Sequence, residues 1–173
     1  MGIITDCALT KASGPDNHEA VVGLALLDDE PAPVRVLGDS AYGTGDTRAA
    51  LAERKHVAVI KPIPLRPAVP GGFTIDDFAV DLTKGTVTCP AGLTRTITPA
   101  GRAVFGVACG PCHLRSRCTT AVNGKTAKIS PHHALQRSAR IECRKPKWTN
   151  EYRQYRPMVE RSIAWLTRGN RKV

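Results

Sequence analysis

Two short segments on either side of a helical segment constrain the fold of this chain more than any other feature. Residues 34–37 and 57–60 are short and largely apolar, as is typical of strands buried on both faces. Residues 47–55 between them have helical periodicity. A strand in residues 3–10 and a helix in residues 16–27 extend the pattern upstream. The order strand, helix, strand, helix, strand predicts an α/β layer arrangement.

The character of the sequence changes after residue 61. The chain becomes rich in Pro and Gly, and residues 78–82 and 86–88 alternate in polarity across a Thr83-Lys84-Gly85 turn. We therefore expect a β-rich insertion built around a hairpin. From residue 132 onward the pattern becomes helical and basic, with the main helix in residues 150–168. This predicts three segments, which are residues 1–61, the insertion 62–131 and a basic helical segment 132–173.

Charge is distributed unevenly along the chain. Residues 1–60 carry 5 Lys and Arg against 9 Asp and Glu, whereas residues 61–173 carry 20 against 6. Clustered cations favour a polyanion such as nucleic acid, because neutralising phosphates releases counterions. The longest apolar run, residues 20–27, is far shorter than the ~20 residues of a membrane span, and the N-terminus lacks the features of a signal peptide. These features predict a cytoplasmic, nucleic-acid-binding protein that does not contact membranes.

Asp39 is the first candidate for chemistry. It directly follows the strand predicted at residues 34–37 and is flanked by Gly38 and Ser40, so its carboxylate can reach an open site and bind a hard cation. The alternative is that Gly-Asp-Ser forms a turn and that Asp39 only caps this loop or the next helix. Both interpretations are open from the sequence.

Glu160 is the second candidate. Arg156 precedes it by four residues on the same helical face, where a guanidinium keeps a carboxylate ionised or contacts a phosphate. The alternative is an ordinary surface Glu-Arg pair. Pro157 indicates either that the helix begins there or that it is kinked. An apolar stripe on this helix predicts packing on a core, and it comprises Tyr155, Val159, Ile163 and Leu166.

The insertion contains a third candidate, a group of four cysteines. They are Cys89, Cys109, Cys112 and Cys118. A Cys-x-x-Cys pair joined by Gly and Pro suits tetrahedral zinc, which thiolates bind at ~2.3 Å. A reducing cytoplasm favours a metal over disulfides. The spacing is looser than in a standard zinc ribbon, so bound zinc and free thiols are both open, and His113 is an alternative ligand.

With these segments in order, the chain resembles the DDE transposases of bacterial insertion sequences, in the subgroup with a cysteine-bearing β insertion between the second and third acids. The resemblance covers nearly the whole chain and rests on four motifs. These are Thr10-x-Ala12-x-Gly14-x-Asp16-Asn17 before a helix, Val-Leu-Gly-Asp-Ser-Ala-Tyr-Gly at residues 36–43, the Cys-x-x-Cys-x-x-Arg-x-x-Cys insertion, and Tyr-Arg-Pro-x-Val-Glu-Arg at residues 155–161.

The resemblance implies a partial RNase H-like α/β fold, with a mixed sheet and flanking helices, and the small cysteine-containing insertion. It implies three carboxylates that hold two divalent ions, Mg²⁺ or Mn²⁺, for DNA strand cleavage and strand transfer. Asp39 then corresponds to the second acid and Glu160 to the third. The implied partners are transposon-end and target DNA, with homodimerisation in the full-length family. The implied DNA-binding residues are Arg153, Arg156, Arg161, Arg168, Arg171 and Lys172.

The chain also departs from this family. The family's first Asp lies two hairpin strands before the helix predicted here near Asp16, whereas only one strand precedes that helix in this chain. Asp6 therefore lies on the wrong strand to be the first acid. In the related signature Tyr-x2-Arg-x3-Glu-x6-Lys, Arg153 and Thr167 stand in the Tyr and Lys positions. We expect a transposase fragment that is cut at both ends and inactive alone.

Two other classes of protein remain as alternatives. A zinc-stabilised, non-catalytic DNA-binding module would use the cysteines and the basic second part of the chain. An α/β structural protein with fortuitous acids would place the carboxyls of Asp39 and Glu160 more than ~8 Å apart, too far for paired metal ions that lie ~3.5–4 Å from each other.

Overall fold

The chain is a mixed α/β protein that divides into two compact units. The computed structural model describes residues 7–8, 10–11, 14, 18–31 and 33–167, with the side chains of residues 159, 162, 163 and 165–167 outside that description. Unit 1 comprises Met1–Ile63 and Ser138–Val173, and unit 2 comprises Pro64–Arg137. The α/β class is confirmed, but the described strands form three small sheets and not one mixed sheet.

A pair of parallel strands forms the sheet of unit 1. β1 (Arg35–Gly38) pairs in parallel with β2 (Val57–Ile60). Val59 and Ile60 are almost completely buried, as the apolar pattern predicted. Parallel neighbours need a crossover connection, which here contains α2 (Gly45–Glu53). Both predicted strands and the helix between them are confirmed.

The first two helices of unit 1 begin where side chains cap them. α1 (Glu19–Ala25) follows His18, whose side chain accepts a hydrogen bond from the Ala20 N–H. α2 follows Thr44, whose hydroxyl accepts a hydrogen bond from the Thr47 N–H. This cap explains why α2 begins two residues before the predicted position.

The N-terminal prediction is only partly covered by the described residues. Residues 7, 8 and 10 are described and have no strand structure, so the strand predicted at residues 3–10 is not seen there. Asp6 and the helix start near Asp16 lie outside the described residues.

Two helices lie in the C-terminal part of the chain, as the basic periodic segment predicted, and the first of them begins within unit 2 and ends within unit 1. They are α4 (His133–Glu142) and α5 (Pro146–Thr167). Pro157 lies inside α5, so the helix does not begin there. Tyr155 is 39% exposed, which contradicts its predicted place in a buried stripe, and the side chains of Val159, Ile163 and Leu166 lie outside the described residues. No helix in the described part of the chain is long and apolar enough to cross a membrane.

Unit 2 contains two antiparallel sheets and one short helix, α3 (Arg115–Cys118). One sheet is formed by β3 (Ala79–Asp81), β4 (Thr86–Thr88) and β5 (Thr94–Thr96), and the other by β6 (Arg102–Val104) and β7 (Thr126–Lys128). The predicted hairpin is therefore confirmed as β3 and β4. The buried core of this unit comprises Phe78, Val87, Ala103, Phe105, Ala127 and Ile129.

Candidate metal and nucleic-acid site

Asp39 directly follows β1, at the carboxyl end of the strand. Gly38 precedes it at a point where an added Cβ would lie 3.3 Å from Ile60 Cγ1, so the strand end accepts only a very small residue without local movement. Asp39 Oδ1 accepts a hydrogen bond from the Ala41 N–H at 2.8 Å and caps the following 3₁₀ turn. The cap expected as the alternative interpretation is therefore present. It fixes the carboxylate and leaves Oδ2 for other partners.

An ion pair holds α5 against β1. Arg35, the first residue of β1, contacts Glu151 of α5 through both Nε and Nη2, and the Nη2–Oε2 distance is 2.5 Å. The hydrogen bond to Glu151 raises the pKa of Arg35. Two parallel N–H···O bonds fix orientation as well as distance. This pair therefore sets the position of α5 along β1.

Arg156 brings the two candidate carboxylates together. Its Nη2 lies 2.5 Å from Glu160 Oε1 and 3.9 Å from Asp39 Oδ2. Because one nitrogen contacts both, the two carboxylate oxygens are separated by no more than the sum of these distances. That separation lies within the ~8 Å limit set by paired metal ions. The large separation that the structural-protein alternative predicted is therefore not found.

Tyr42 lies beside Asp39 and links the site to α1. Its ring lies 3.4 Å from where a Cβ on Gly23 would be. Burial raises the pKa of Tyr42, and the charges of Glu19 and Asp39 raise it further. The phenol therefore stays protonated at neutral pH.

Exposed cations on α5 accompany this pair of acids. Among the predicted DNA-binding residues, Arg153 and Arg161 are exposed and Arg156 is half-buried, while Arg168, Arg171 and Lys172 lie outside the described residues. The two described acids of α5 are each paired with an arginine, since Glu151 contacts Arg35 and Glu160 contacts Arg156. The remaining charge of this helix surface is therefore positive.

Part of this surface was missed by sequence reasoning. Lys147 is exposed and forms no ion pair with the described part of the chain. Trp148 and Tyr152 stack with ring centroids 5.0 Å apart and planes 10° from parallel. A spacing of four residues places both rings on one face of a helix, but the sequence pattern predicts that the helix begins only at residue 150. α5 thus starts four residues earlier, at Pro146.

The four cysteines of the insertion line one small cavity of unit 2, with a volume of about 60 Å³. All four are free thiols of intermediate exposure. The Lys125 N–H donates a hydrogen bond to Cys109 Sγ at 3.4 Å. His113, the alternative ligand, is exposed and is not among the residues that line the cavity. The four cysteines that the sequence predicted as a group therefore line the same cavity.

The thiols in this cavity influence one another. Burial raises the pKa of Cys118, the other three thiols raise it further, and Lys125 lowers it. Among the described residues, no group of three or more His, Cys, Asp or Glu side chains is arranged to hold a metal ion. Support for a zinc site therefore comes from the cavity that the four cysteines share, because the described residues do not form a complete set of metal ligands.

The second half of the chain matches a known protein family. Residues 88–172 match the family model described as a transposase DDE domain. This range covers just under half of the chain. No match was found among the curated proteins or among the solved structures.

The matched range contains some of the candidate residues and not others. The matched range includes Arg156, Glu160 and the four cysteines, whereas Asp39 precedes it. A transposase DDE domain implies a transposase-related function with DNA as a partner, and DDE transposases generally use divalent metals. The resemblance is therefore confirmed at the level of this domain.

Proposed function

We propose that the chain belongs to the catalytic region of a DDE transposase, which cleaves DNA strands and transfers them at the ends of an insertion sequence. The observation that carries this proposal is the contact of one Arg156 nitrogen with both Asp39 and Glu160. Carboxylates from the end of β1 and from α5 thereby converge. The match of residues 88–172, which includes Glu160, supports the same function.

The proposal includes an RNase H-like core in residues 1–61 and 132–173, interrupted by the insertion 62–131. The parallel β1–β2 pair and its neighbouring helices in unit 1 support this arrangement. Transposon-end DNA and target DNA are the proposed partners, and the full-length protein would act as a homodimer.

Asp39 and Glu160 suit Mg²⁺ or Mn²⁺, because hard cations prefer carboxylate oxygens. Their side chains are 49% and 57% exposed, so both are open to ions and DNA. When bound, the metal ions would activate a water or a 3′-hydroxyl and stabilise the leaving oxygen. The Ala41 N–H orients Asp39, and α5 positions Glu160. Exposed arginines of α5 would contact the phosphates.

The 173 residues are proposed to be inactive alone, because Asp39 and Glu160 supply two carboxylates to a reaction expected to need three. The test is incubation of the chain with Mn²⁺ and transposon-end DNA. No cleavage is expected. Robust cleavage that Asp39→Ala abolishes would contradict the inactivity and support the assigned reaction.

Removal of one carboxylate should weaken metal binding even where no cleavage occurs. We expect Asp39→Asn to lower Mn²⁺ affinity by at least ~10-fold, because the charge of the ligands sets cation affinity. Glu160→Gln should act in the same direction. Isothermal titration of the purified chain measures both changes. Glu53→Gln is the matched control, since Glu53 is an exposed acid of α2 outside the site, and it should leave the affinity unchanged.

The cysteine cavity favours a second candidate function, a zinc-stabilised DNA-binding module without catalysis. Four thiols line this one cavity, and the Lys125 N–H already donates to Cys109 Sγ. Four cysteine thiolates are a common ligand set of structural zinc. In this function Cys89, Cys109, Cys112 and Cys118 would hold zinc, and the α5 cations would bind DNA.

Zinc analysis distinguishes the two candidate functions. The second predicts one zinc per chain in protein purified with zinc supplied, and loss of that zinc in the Cys109→Ser/Cys112→Ser double variant. Cys143→Ser serves as control, because Cys143 does not line the cavity. A zinc-free wild-type protein would exclude the module. If the double variant loses zinc but still binds DNA as the wild type does, zinc has no role in DNA binding.

A further inference from the structure

Arg156 Nη2 contacts both Asp39 and Glu160, so it occupies space between the carboxylates that would bind a shared divalent ion. We infer that Arg156 is a resident counterion of this site, displaced when a divalent ion binds and then free to contact a DNA phosphate. The inference rests on the proposed function, because it assumes that these carboxylates bind the metal. In this role, Arg156 would couple metal binding to DNA binding.

The first argument is steric. Mg²⁺ binds carboxylate oxygens at ~2.0–2.1 Å, so an ion shared by two carboxylates lies directly between their oxygens. Arg156 Nη2 lies close to both oxygens, at 2.5 Å from Glu160 Oε1 and 3.9 Å from Asp39 Oδ2, and an ion that drew the two carboxylates together would meet this guanidinium. The guanidinium and a shared ion therefore exclude each other.

The second argument is electrostatic. A guanidinium keeps its proton at all accessible pH, so Arg156 cannot relieve repulsion from a divalent ion by becoming neutral. It must move instead. Asp39 Oδ1 is held by the Ala41 N–H, whereas the contacts of Arg156 in this site are ionic. The arginine side chain is 23% exposed, so it already reaches solvent.

The displaced guanidinium has an obvious acceptor in the proposed function. Arginine binds phosphate with charge-assisted and frequently bidentate hydrogen bonds. Other exposed cations of α5, such as Arg153 and Arg161, would hold DNA on the same helix. Since binding linkage is reciprocal, an ion that releases Arg156 should strengthen DNA binding, and DNA should strengthen ion binding.

The decisive experiment is a Mn²⁺ titration of the full chain without DNA. Arg156→Gln keeps a polar side chain but removes the competing charge, and we expect it to bind Mn²⁺ roughly 10-fold more tightly than wild type. Arg144→Gln removes the same charge from an exposed position without a carboxylate contact, and it should leave the affinity unchanged. Unchanged or weaker Mn²⁺ binding by Arg156→Gln would overturn the inference.

A second measurement tests the coupling itself. Affinity for a short DNA duplex is measured with and without Mn²⁺ at constant ionic strength. Mn²⁺ should tighten DNA binding by the wild type and by Arg144→Gln several-fold more than it tightens binding by Arg156→Gln. An equal effect of Mn²⁺ on all three proteins would also overturn the inference.

Asp39→Asn separates failure of this inference from failure of the proposed function. If Asp39→Asn weakens Mn²⁺ binding but Arg156→Gln does not strengthen it, the metal site stands and the counterion role fails. If Asp39→Asn has no effect, the metal site itself is wrong. Circular dichroism of each variant establishes that the comparison is between folded proteins.

Discussion

Phe78→Ala should lower the free energy of unfolding of unit 2 by about 3–5 kcal/mol, because removing a buried aromatic side chain loses apolar burial and leaves a cavity. Phe78 is 2% exposed and is among the largest fully buried side chains. Its ring packs against Phe105, with centroids 5.8 Å apart and planes inclined by 59°. The loss therefore falls at the centre of the unit 2 core.

Hydrogen exchange of the β4, β6 and β7 amides is the appropriate measurement for Phe78→Ala. Trp148 and Trp165 belong to unit 1, so tryptophan fluorescence would not report on this core. Val107→Ala is the control, since Val107 is 95% exposed, and its effect should stay within about 0.5 kcal/mol. Similar effects of the two substitutions would contradict the assignment of Phe78 to the core.

Gly124→Ala should destabilise unit 2 by about 4 kcal/mol or more, because the backbone must shift to accept a side chain there. Gly124 has a φ of +77°, and an added Cβ would lie 2.1 Å from Gly106 O and 3.1 Å from Cys109 Cβ. Real Cβ atoms do not approach a carbonyl oxygen this closely. The backbone shift would displace Cys109, which lines the cysteine cavity.

Gly85→Ala is the control that separates the cost of the positive φ from the cost of steric crowding at Gly124. Gly85 also has a positive φ, +63°, but an added Cβ there meets nothing within 4 Å. It should cost only about 1–2 kcal/mol, the usual penalty of the left-handed conformation. Hydrogen exchange measures stability, and the rate of thiol labelling should rise in Gly124→Ala alone. Equal destabilisation by the two substitutions would show that backbone conformation, and not contact with Gly106, limits this position.

The sequence predicted the features that depend on local pattern. β1 and β2 were visible as short apolar runs, and the hairpin of β3 and β4 as alternation around a turn with Gly85. Asp39 could be placed at a strand end, because the buried strand stops at Gly38. Arg156 and Glu160 could be paired, because a spacing of four residues puts side chains on one helical face.

Features that depend on contacts between distant segments could not be predicted. The ion pair of Arg35 with Glu151 joins residues 116 positions apart, and nothing local marks either side chain. Arg48 is 7% exposed because its Nη2 donates to the Ile60 carbonyl, although an arginine on a short helix is ordinarily expected outside. The division of the described strands into three small sheets also follows from tertiary contacts, which periodicity does not report.

The ion pair between Arg35 and Glu151 sets how far along β1 the residues of α5 lie, and so it sets the distance between the two carboxylates of the site. It fixes α5 at one end of β1, while Arg156 and Glu160 meet Asp39 at the other end. One residue inserted between Glu151 and Arg156 would rotate Glu160 by roughly 100° around the helix and remove it from Asp39. Residues added to the loops of unit 2 would not change this spacing. The length of unit 2 can therefore differ between related proteins while the distance between the carboxylates of Asp39 and Glu160 stays constant.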